Sequence, residues 1–268
     1  MKVGFQGEFG AYSHEAIDRN FKNAEAVPFR SFSDVFNALE KKEIDCAMIP
    51  VENSVEGSVT PVYDLLLKSG VKAVKEVYLP IHHCLISGNK IEEIEEVYSH
   101  PQALAQCREN IRELGLKEVQ FYDTAGSVKM LKETGKKAGA LASKKAAQYY
   151  GLNVLKENME DTSNNTTRFL VFVKDNEEWE TEGKMKTSIV FGLKHIPGAL
   201  YGVLKELSDR NINMTKIESR PTKETKWEYV FYIDFEGSFK DEKIKDMLGS
   251  LDDKTYFVKV IGSYPAGE

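Results

Sequence analysis

Cysteine is scarce in this 268-residue sequence. Cys46, Cys84 and Cys107 are odd in number and far apart, which argues against a disulfide framework or a zinc knuckle and leaves them as small core residues. Long apolar runs are missing too. No stretch could span a bilayer, and Met1-Lys2-Val3-Gly4-Phe5 lacks a secretory pattern, so the expectation is a cytoplasmic protein with no membrane partner. Nor is there a basic block. The net charge of −6 comes from mixed Lys and Glu surfaces, which argues against nucleic acid and means that an anionic ligand must be met by local donors. What is plentiful is ordinary: a 41% hydrophobic content supplies cores for two or three compact units.

The most informative stretch runs from Asp161 to Val173. Eight of its first nine residues carry hydrogen-bonding side chains, and they lead directly into the apolar run Leu170 to Val173, which reads as a buried strand. Alternate side chains of a strand share a face, so Thr167 and Phe169 look one way and Arg168 the other. A hydroxyl beside an aromatic wall suits a small ring-shaped ligand. An ordinary Ser/Asn/Asp turn over Asp161 to Asn165 is the competing reading.

From the N-terminus the pattern alternates. Strand Lys2 to Gln6 enters the turn Gly7-Glu8-Phe9-Gly10 and a helix from Tyr12 to Phe21; the glycine spacing does not match a dinucleotide fingerprint. Strand Ala24 to Phe29 precedes a helix capped by Ser33 and running through Lys42, with Val35, Phe36 and Leu39 as its buried stripe. Strand Ile44 to Val51 delivers Glu52, Asn53 and Ser54 to its carboxyl end, where open α/β sheets hold ligands. A solvated loop is the alternative there. After a helix over Thr60 to Lys68, the extended run Val71 to Ser87 exceeds a normal strand and crosses to a second lobe. His82, His83 and Cys84 within it alternate in direction and do not converge on one metal ion, so they read as core or surface strand residues.

In that lobe, strand Val97-Tyr98 leads to Ser99 as cap, Pro101 in the first turn and a helix to Leu114, on which Gln102 and Gln106 share a face. Strand Val119 to Tyr122 leads to Thr124 and a helix, and strand Ala138 to Ala142 to Ser143 and another. Three polar helix starts at one edge make a cluster of N–H donors for anions. His100, beside Pro101, reads as structural. The extended piece Leu152 to Asn158 returns the chain to the first lobe, and two crossings imply a hinged cleft of the bilobal small-molecule-binding kind. The charged segment Asp175 to Lys186 reads as a boundary. Beyond it come strand Thr187 to Leu193, helix Pro197 to Arg210 with Pro197 at its first position, strands Met214 to Glu218 and Glu228 to Phe235, helix Asp241 to Leu251 and strand Tyr256 to Tyr264, the βαββαβ ferredoxin-like order. Leu200, Val203, Leu204 and Leu207 give its first helix an apolar stripe.

Pro50-Val51-Glu52-Asn53-Ser54, Ser99-His100-Pro101-Gln102, the run ending in Thr167-Arg168-Phe169, Pro197-Gly198-Ala199-Leu200 and Glu218-Ser219-Arg220-Pro221 together resemble a monofunctional prephenate dehydratase with a C-terminal ACT regulatory domain. The resemblance covers essentially the whole chain. It leaves no room for a chorismate mutase domain, the first strand starting at Lys2. It implies an α/β fold: a bilobal periplasmic-binding-protein-like (type II) catalytic domain over 1–176, with lobes over about 1–77 with 159–176 and about 78–158, and a ferredoxin-like ACT domain over 185–265. The implied reaction is cofactor-free and metal-free loss of water and CO2 from prephenate to give phenylpyruvate. Thr167 matches the family's catalytic threonine, which hydrogen-bonds to the departing hydroxyl. Glu52, Asn53, Ser54, Ser99, Gln102, Gln106, Thr124, Asn165, Arg168 and Phe169 are implied substrate-binding residues. Arg168 stands between a carboxylate clamp and a structural ion pair.

The ACT motifs imply feedback by L-phenylalanine, held by Gly198, Ala199, Leu200, Asn213, Met214, Glu218 and Ser219 between paired domains of a homodimer or homotetramer. Three positions depart from the family pattern: Asn211 in place of a glycine, Tyr201 in place of a small aliphatic, and Ala11 in place of a hydroxyl residue at a helix start. Asn211 tolerates a left-handed backbone. Arogenate dehydratase, whose substrate carries an amine instead of the keto group, and a non-catalytic bilobal amino-acid sensor are the alternatives.

Overall fold

β1 (Lys2–Gln6) buries Val3 and Phe5 completely and lies parallel to both β2 (Glu25–Phe29) and β3 (Cys46–Asn53) in the computed structural model, which describes residues 1–177, 179, 182–222 and 229–267. Parallel neighbours need crossover elements, here α1 (Tyr12–Asn20) and α2 (Phe32–Glu40). The cap of α2 is Ser31, whose Oγ accepts from the Asp34 N–H at 3.2 Å, and not the expected Ser33. Two serines two residues apart offered the same side chain, and the backbone turn chose the earlier one. No side chain caps α1 at Ala11; the Gly10 N–H instead donates to His14 Nδ1 at 3.0 Å.

The chain divides into two compact units, Met1–Val62 with Val77–Phe169, and Tyr63–Glu76 with Leu170–Glu268. The expected domain limits, 77 within the first lobe and 175–186 between domains, differ from this division. Within the second unit, buried Glu76 is met by Lys186 at 2.9 Å and by the Gly267 N–H at 2.7 Å, contacts between segments far apart in sequence. Positions 178, 180 and 181 of the expected linker lie outside the described residues.

β3 leads to β4 (Gly57–Ser58) and to α3 (Thr60–Lys68), the helix expected to the residue, along which the chain passes from the first unit to the second at Tyr63. The long extended run splits into β5 (Val71–Pro80) and β6 (Cys84–Ser87) because the Ile81 and His83 N–H groups turn away to the Asn165 carbonyl and the Glu160 carboxylate. Next come β7 (Glu96–Ser99), α4 (Pro101–Gln106), α5 (Arg108–Glu113), β8 (Lys117–Gln120), α6 (Thr124–Thr134), β9 (Gly139–Ala142), α7 (Lys144–Tyr150), β10 (Asn153–Lys156) and β11 (Thr166–Lys174). They make two lobes. One carries the strands β2-β1-β3 with β11 up to Phe169, and the other the sheet β10-β6-β9-β7-β8. In the second sheet β7 is parallel to β8 and β9, while β6 is antiparallel to β9 and β10.

The helix expected from Pro101 to Leu114 is broken at Cys107. Asp161, more than fifty residues away, supplies the reason: its carboxylate accepts the Glu109 and Asn110 N–H groups at 3.1 and 3.3 Å and so starts α5 afresh. The expected cap of α4, Ser99, is also displaced. Ser99 is wholly buried at the end of β7, and His100 caps the helix through Nδ1, which accepts from the Gln102 N–H. The lobes meet at the turn Gly7 to Gly10. Glu8 accepts from Tyr122 and Lys129 at 3.1 and 3.0 Å, Phe9 stacks on Tyr149, and Ser143 Oγ donates to the Gly10 carbonyl at 2.6 Å.

The second unit contains β12 (Met185–Leu193), α8 (Ala199–Asp209), β13 (Met214–Pro221), β14 (Tyr229–Glu236), α9 (Glu242–Gly249) and β15 (Thr255–Pro265). This is βαββαβ, with strand order β13-β14-β12-β15. Val203 and Leu207 of α8 and Ile244 and Met247 of α9 are buried against Ile189, Phe191, Ile233 and Phe235 of the sheet, while Leu200 packs at the margin. Pro197 precedes α8 and does not open it, since Gly198 at φ 80 is the cap. Glu228, the expected start of a strand, lies outside the described residues. Asn211 adopts φ 51, the left-handed conformation expected of it. No helix among the described residues is long and apolar enough to cross a membrane.

Candidate active site

A cavity of about 560 Å³ lies in the first unit, at the carboxyl ends of β3, β7 and β8. Asn53, Gln102, Gln106, Thr124, Thr167 and Phe169 all line it. These come from four elements far apart in the chain. Strand alternation in β11 turns Thr167 and Phe169 to the cavity and leaves Arg168 out of the lining. Arg168 is buried and faces Glu52 at 3.5 Å, which makes it an ion-pair partner within the lobe.

Five expected contacts are absent from the cavity wall: Glu52, Ser54, Ser99, Asn165 and Arg168. Ser54 clips β3 to β11, its Oγ donating to the Asn164 carbonyl at 2.7 Å and accepting from the Thr166 N–H at 2.9 Å. Ser99 Oγ donates to the Leu141 carbonyl at 2.6 Å and joins β7 to β9. Asn165, buried, stands one layer behind the wall, where it bridges Asn53 and Gln106. A small polar residue at a strand end serves the backbone or a ligand equally well; which one it serves depends on the neighbouring strand.

Several wall residues were not among the expected site residues, His83 and His100 having been read as structural. Tyr12, His83, His100, Tyr122, Asp123 and Glu56 line the cavity. His83 had read as a strand residue; it is buried, with Nδ1 2.8 Å from the Tyr12 hydroxyl and Nε2 3.0 Å from Gln106 Oε1. His82 points away, to Glu160 at 2.7 Å, so the alternation argument against convergence holds for this pair. A His-His pair flanked by a strand break was the available signal for His83. Among the described residues no cluster of His, Cys, Asp and Glu is arranged to hold a metal ion.

No lysine or arginine is among the described residues that line the cavity. Negative charge must be met by N–H groups instead, and the first turns of α1, α3 and α6 all reach the wall through Tyr12 and Ser13, Thr60 and Pro61, and Thr124. Burial lowers the His83 imidazole below its ordinary 6.5, keeping it neutral at neutral pH. Burial pushes the Asp123 carboxyl up, and the Gly126 N–H that it accepts at 2.7 Å only partly offsets this. The Tyr12 phenol is raised well above 10 by burial and stays protonated.

At the centre of the wall, Asn53 Nδ2 donates to Thr167 Oγ1 at 3.0 Å. That bond occupies an acceptor site of the hydroxyl and leaves its hydrogen free for the cavity. The expected effector residues lie in the second unit: Gly198 as the cap and Ala199 and Leu200 in the first turn of α8, Asn213 and Met214 at the start of β13, and Glu218 and Ser219 further along that strand. Leu200 and Met214 pack against the same core cluster, and Asn213 and Ser219 are exposed.

Residues 3–177 match the family model described as prephenate dehydratase, and residues 187–253 match that of the ACT domain. Arogenate dehydratase 2 of Petunia hybrida is 43% identical, the alignment covering 99% of this chain and 72% of that protein. The bifunctional chorismate mutase/prephenate dehydratase of Aquifex aeolicus is 42% identical over 99% of this chain and 74% of its own. Among solved structures, GqqA, described as a novel type of quorum quenching acylase, superposes with a TM-score of 0.91 at 32% identity, covering 99% of this chain and 98% of that one. Prephenate dehydratase from Arthrobacter aurescens in complex with L-Phe gives 0.90 at 29% identity, covering 99% and 90%. The chain belongs to the prephenate dehydratase family and carries a C-terminal ACT domain.

Proposed function

We propose that this chain is a prephenate dehydratase, converting prephenate to phenylpyruvate in L-phenylalanine biosynthesis under feedback by L-phenylalanine. The bond from the ring to its carboxylate breaks, the freed electron pair enters the ring, and the C4 hydroxyl leaves as the ring becomes aromatic. Prephenate and one proton give phenylpyruvate, CO2 and water. The substrate supplies the driving force, so the protein has to hold a dianion and ease the departure of hydroxide. The observation that carries the reading is the Asn53–Thr167 bond, which leaves the Thr167 hydrogen available to the departing oxygen.

Thr167 is the catalytic donor in this reading, and Asn53, Gln102, Gln106, Thr124 and Phe169 hold the substrate. The catalytic domain spans 1–176 and the ACT domain 185–265. L-phenylalanine binds at Gly198 to Leu200, Asn213, Met214, Glu218 and Ser219 between paired ACT domains of a cytoplasmic homodimer or homotetramer.

Arogenate is the second substrate to consider. The wall offers the carboxylates of Glu56 and Asp123 and no cationic side chain among its described residues, which suits the ammonium group that arogenate has and prephenate lacks. The deciding assay follows phenylpyruvate by ultraviolet absorbance from prephenate, and phenylalanine from arogenate, each with and without added L-phenylalanine. Turnover of prephenate that falls on adding L-phenylalanine is the expected result; no turnover of either substrate would leave a sensor as the better account.

A further inference from the structure

Behind Thr167 a run of side chains forms one hydrogen-bonded path whose direction is set from its ends. Asn53 Oδ1 accepts from the Val55 and Glu56 backbone N–H groups, both at 3.0 Å. Backbone amides only donate, so the other branch of Asn53 is its NH2 group. Its hydrogens go to Asn165 Oδ1 at 2.7 Å and Thr167 Oγ1 at 3.0 Å, with the Thr166 carbonyl farther away at 3.4 Å. Asn165 must then present Nδ2 to Gln106 Oε1, at 2.9 Å. The far branch of Gln106 agrees independently: Nε2 lies 3.2 Å from the Glu56 carboxylate, which accepts.

Gln106 Oε1 also lies 3.0 Å from His83 Nε2. An amide oxygen cannot donate, so that ring nitrogen carries the hydrogen. The ring is buried among Tyr12, Gln106 and the Glu160 carboxylate that receives the His83 backbone N–H, and burial keeps it neutral. Nδ1 is therefore bare and shares the Tyr12 O–H, whose oxygen lies 2.8 Å from it and 2.9 Å from the His82 carbonyl. Two backbone amides thus dictate a tautomer at the opposite end of the path.

We propose that His83 is a positioning residue for the dehydration: held as the neutral Nε2–H imidazole between Tyr12 and Gln106, it locks the Gln106–Asn165–Asn53 path that aims the Thr167 hydroxyl into the cavity. The proposal rests on the reading of Thr167 as donor. It acts through orientation, since amide side chains do not hand protons along, and it gives His83 a function that chain position alone did not suggest.

Ring-nitrogen 15N NMR of the full-length chain at pH 7.5, with the His83 signals assigned by their loss in H83Q, tests the tautomer directly. The expected spectrum shows protonated Nε2 and bare Nδ1, unchanged in Thr167→Val; an Nδ1–H tautomer, an imidazolium or a mixture would overturn the proposal. Kinetics test the role. H83L, which cannot donate to Gln106, should lose about tenfold to a hundredfold in kcat with KM within about threefold, and H83Q, whose side-chain NH2 reaches the same acceptor, should recover most of the loss. Wild-type kcat in H83L, or a change confined to KM, would refute it. Should Thr167→Val keep full turnover, the donor reading fails, while the tautomer measurement still stands on its own.

Discussion

Replacing Thr167 by valine removes one hydroxyl and keeps the branched shape, so its two consequences separate by size. On the stability side, the only described bond of Thr167 Oγ1 is the one it accepts from Asn53 at 3.0 Å. Asn53 is half-buried and has the Thr166 carbonyl at 3.4 Å as a fallback, so the cost is about 1 kcal/mol. On the catalytic side, losing a proton donor to a departing hydroxide costs roughly 10²- to 10⁴-fold in rate, or about 2.7–5.5 kcal/mol of barrier. The barrier effect is several times the folding effect. Thr167→Val should therefore show a urea midpoint near that of the wild type, a KM within about threefold, and kcat reduced at least about a hundredfold. Phenylpyruvate formation over a range of prephenate concentrations, beside urea unfolding of the same preparation, makes the comparison. Turnover within threefold of wild type in a folded T167V would refute the assignment of Thr167 as donor.

Gly10→Ala should destabilise the chain by about 2–4 kcal/mol, from overpacking plus a φ of +88 that L side chains avoid, because its Cβ would sit 2.6 Å from Ala146 Cα; an unchanged melting temperature would show that the turn is not held against α7. Ser99→Ala removes the bond to the Leu141 carbonyl and should cost about 1–2 kcal/mol in denaturant unfolding with kcat and KM within twofold, whereas a selective rise in KM would return Ser99 to the substrate site. Burial lowers the His14 and His83 imidazoles from 6.5, so the unfolded chain takes up protons that the folded chain refuses. Their contribution to stability is complete above about pH 6.5 and is lost as pH falls through the lowered folded values. The raised Asp123 carboxyl works in the opposite direction, and comparison of urea midpoints at pH 7.5 and 5.5 for wild type and H83Q isolates the imidazole: the wild type should lose more, and equal losses would contradict a buried neutral ring.

Local pattern alone settled a good deal of this protein. Strand β1, helix α3 and the βαββαβ order from Met185 onward were legible because hydrophobic period is a property of neighbouring residues, and so were the opposite directions of Thr167 and Arg168. The left-handed turn at Asn211 belongs with them, since backbone tolerance is intrinsic to the residue. Tertiary structure decided the partners. Whether Ser54 and Ser99 touch ligand or carbonyl, whether His83 is core or cavity wall, and where a helix restarts under the Asp161 carboxylate all depend on contacts between residues 23 to 110 positions apart. A side chain's hydrogen-bonding capacity is written at its own position, but the group that satisfies it is delivered by another strand. For that reason motif and fold could be read along the chain, whereas the directed path from Tyr12 to Thr167 exists only once the two lobes have closed around it.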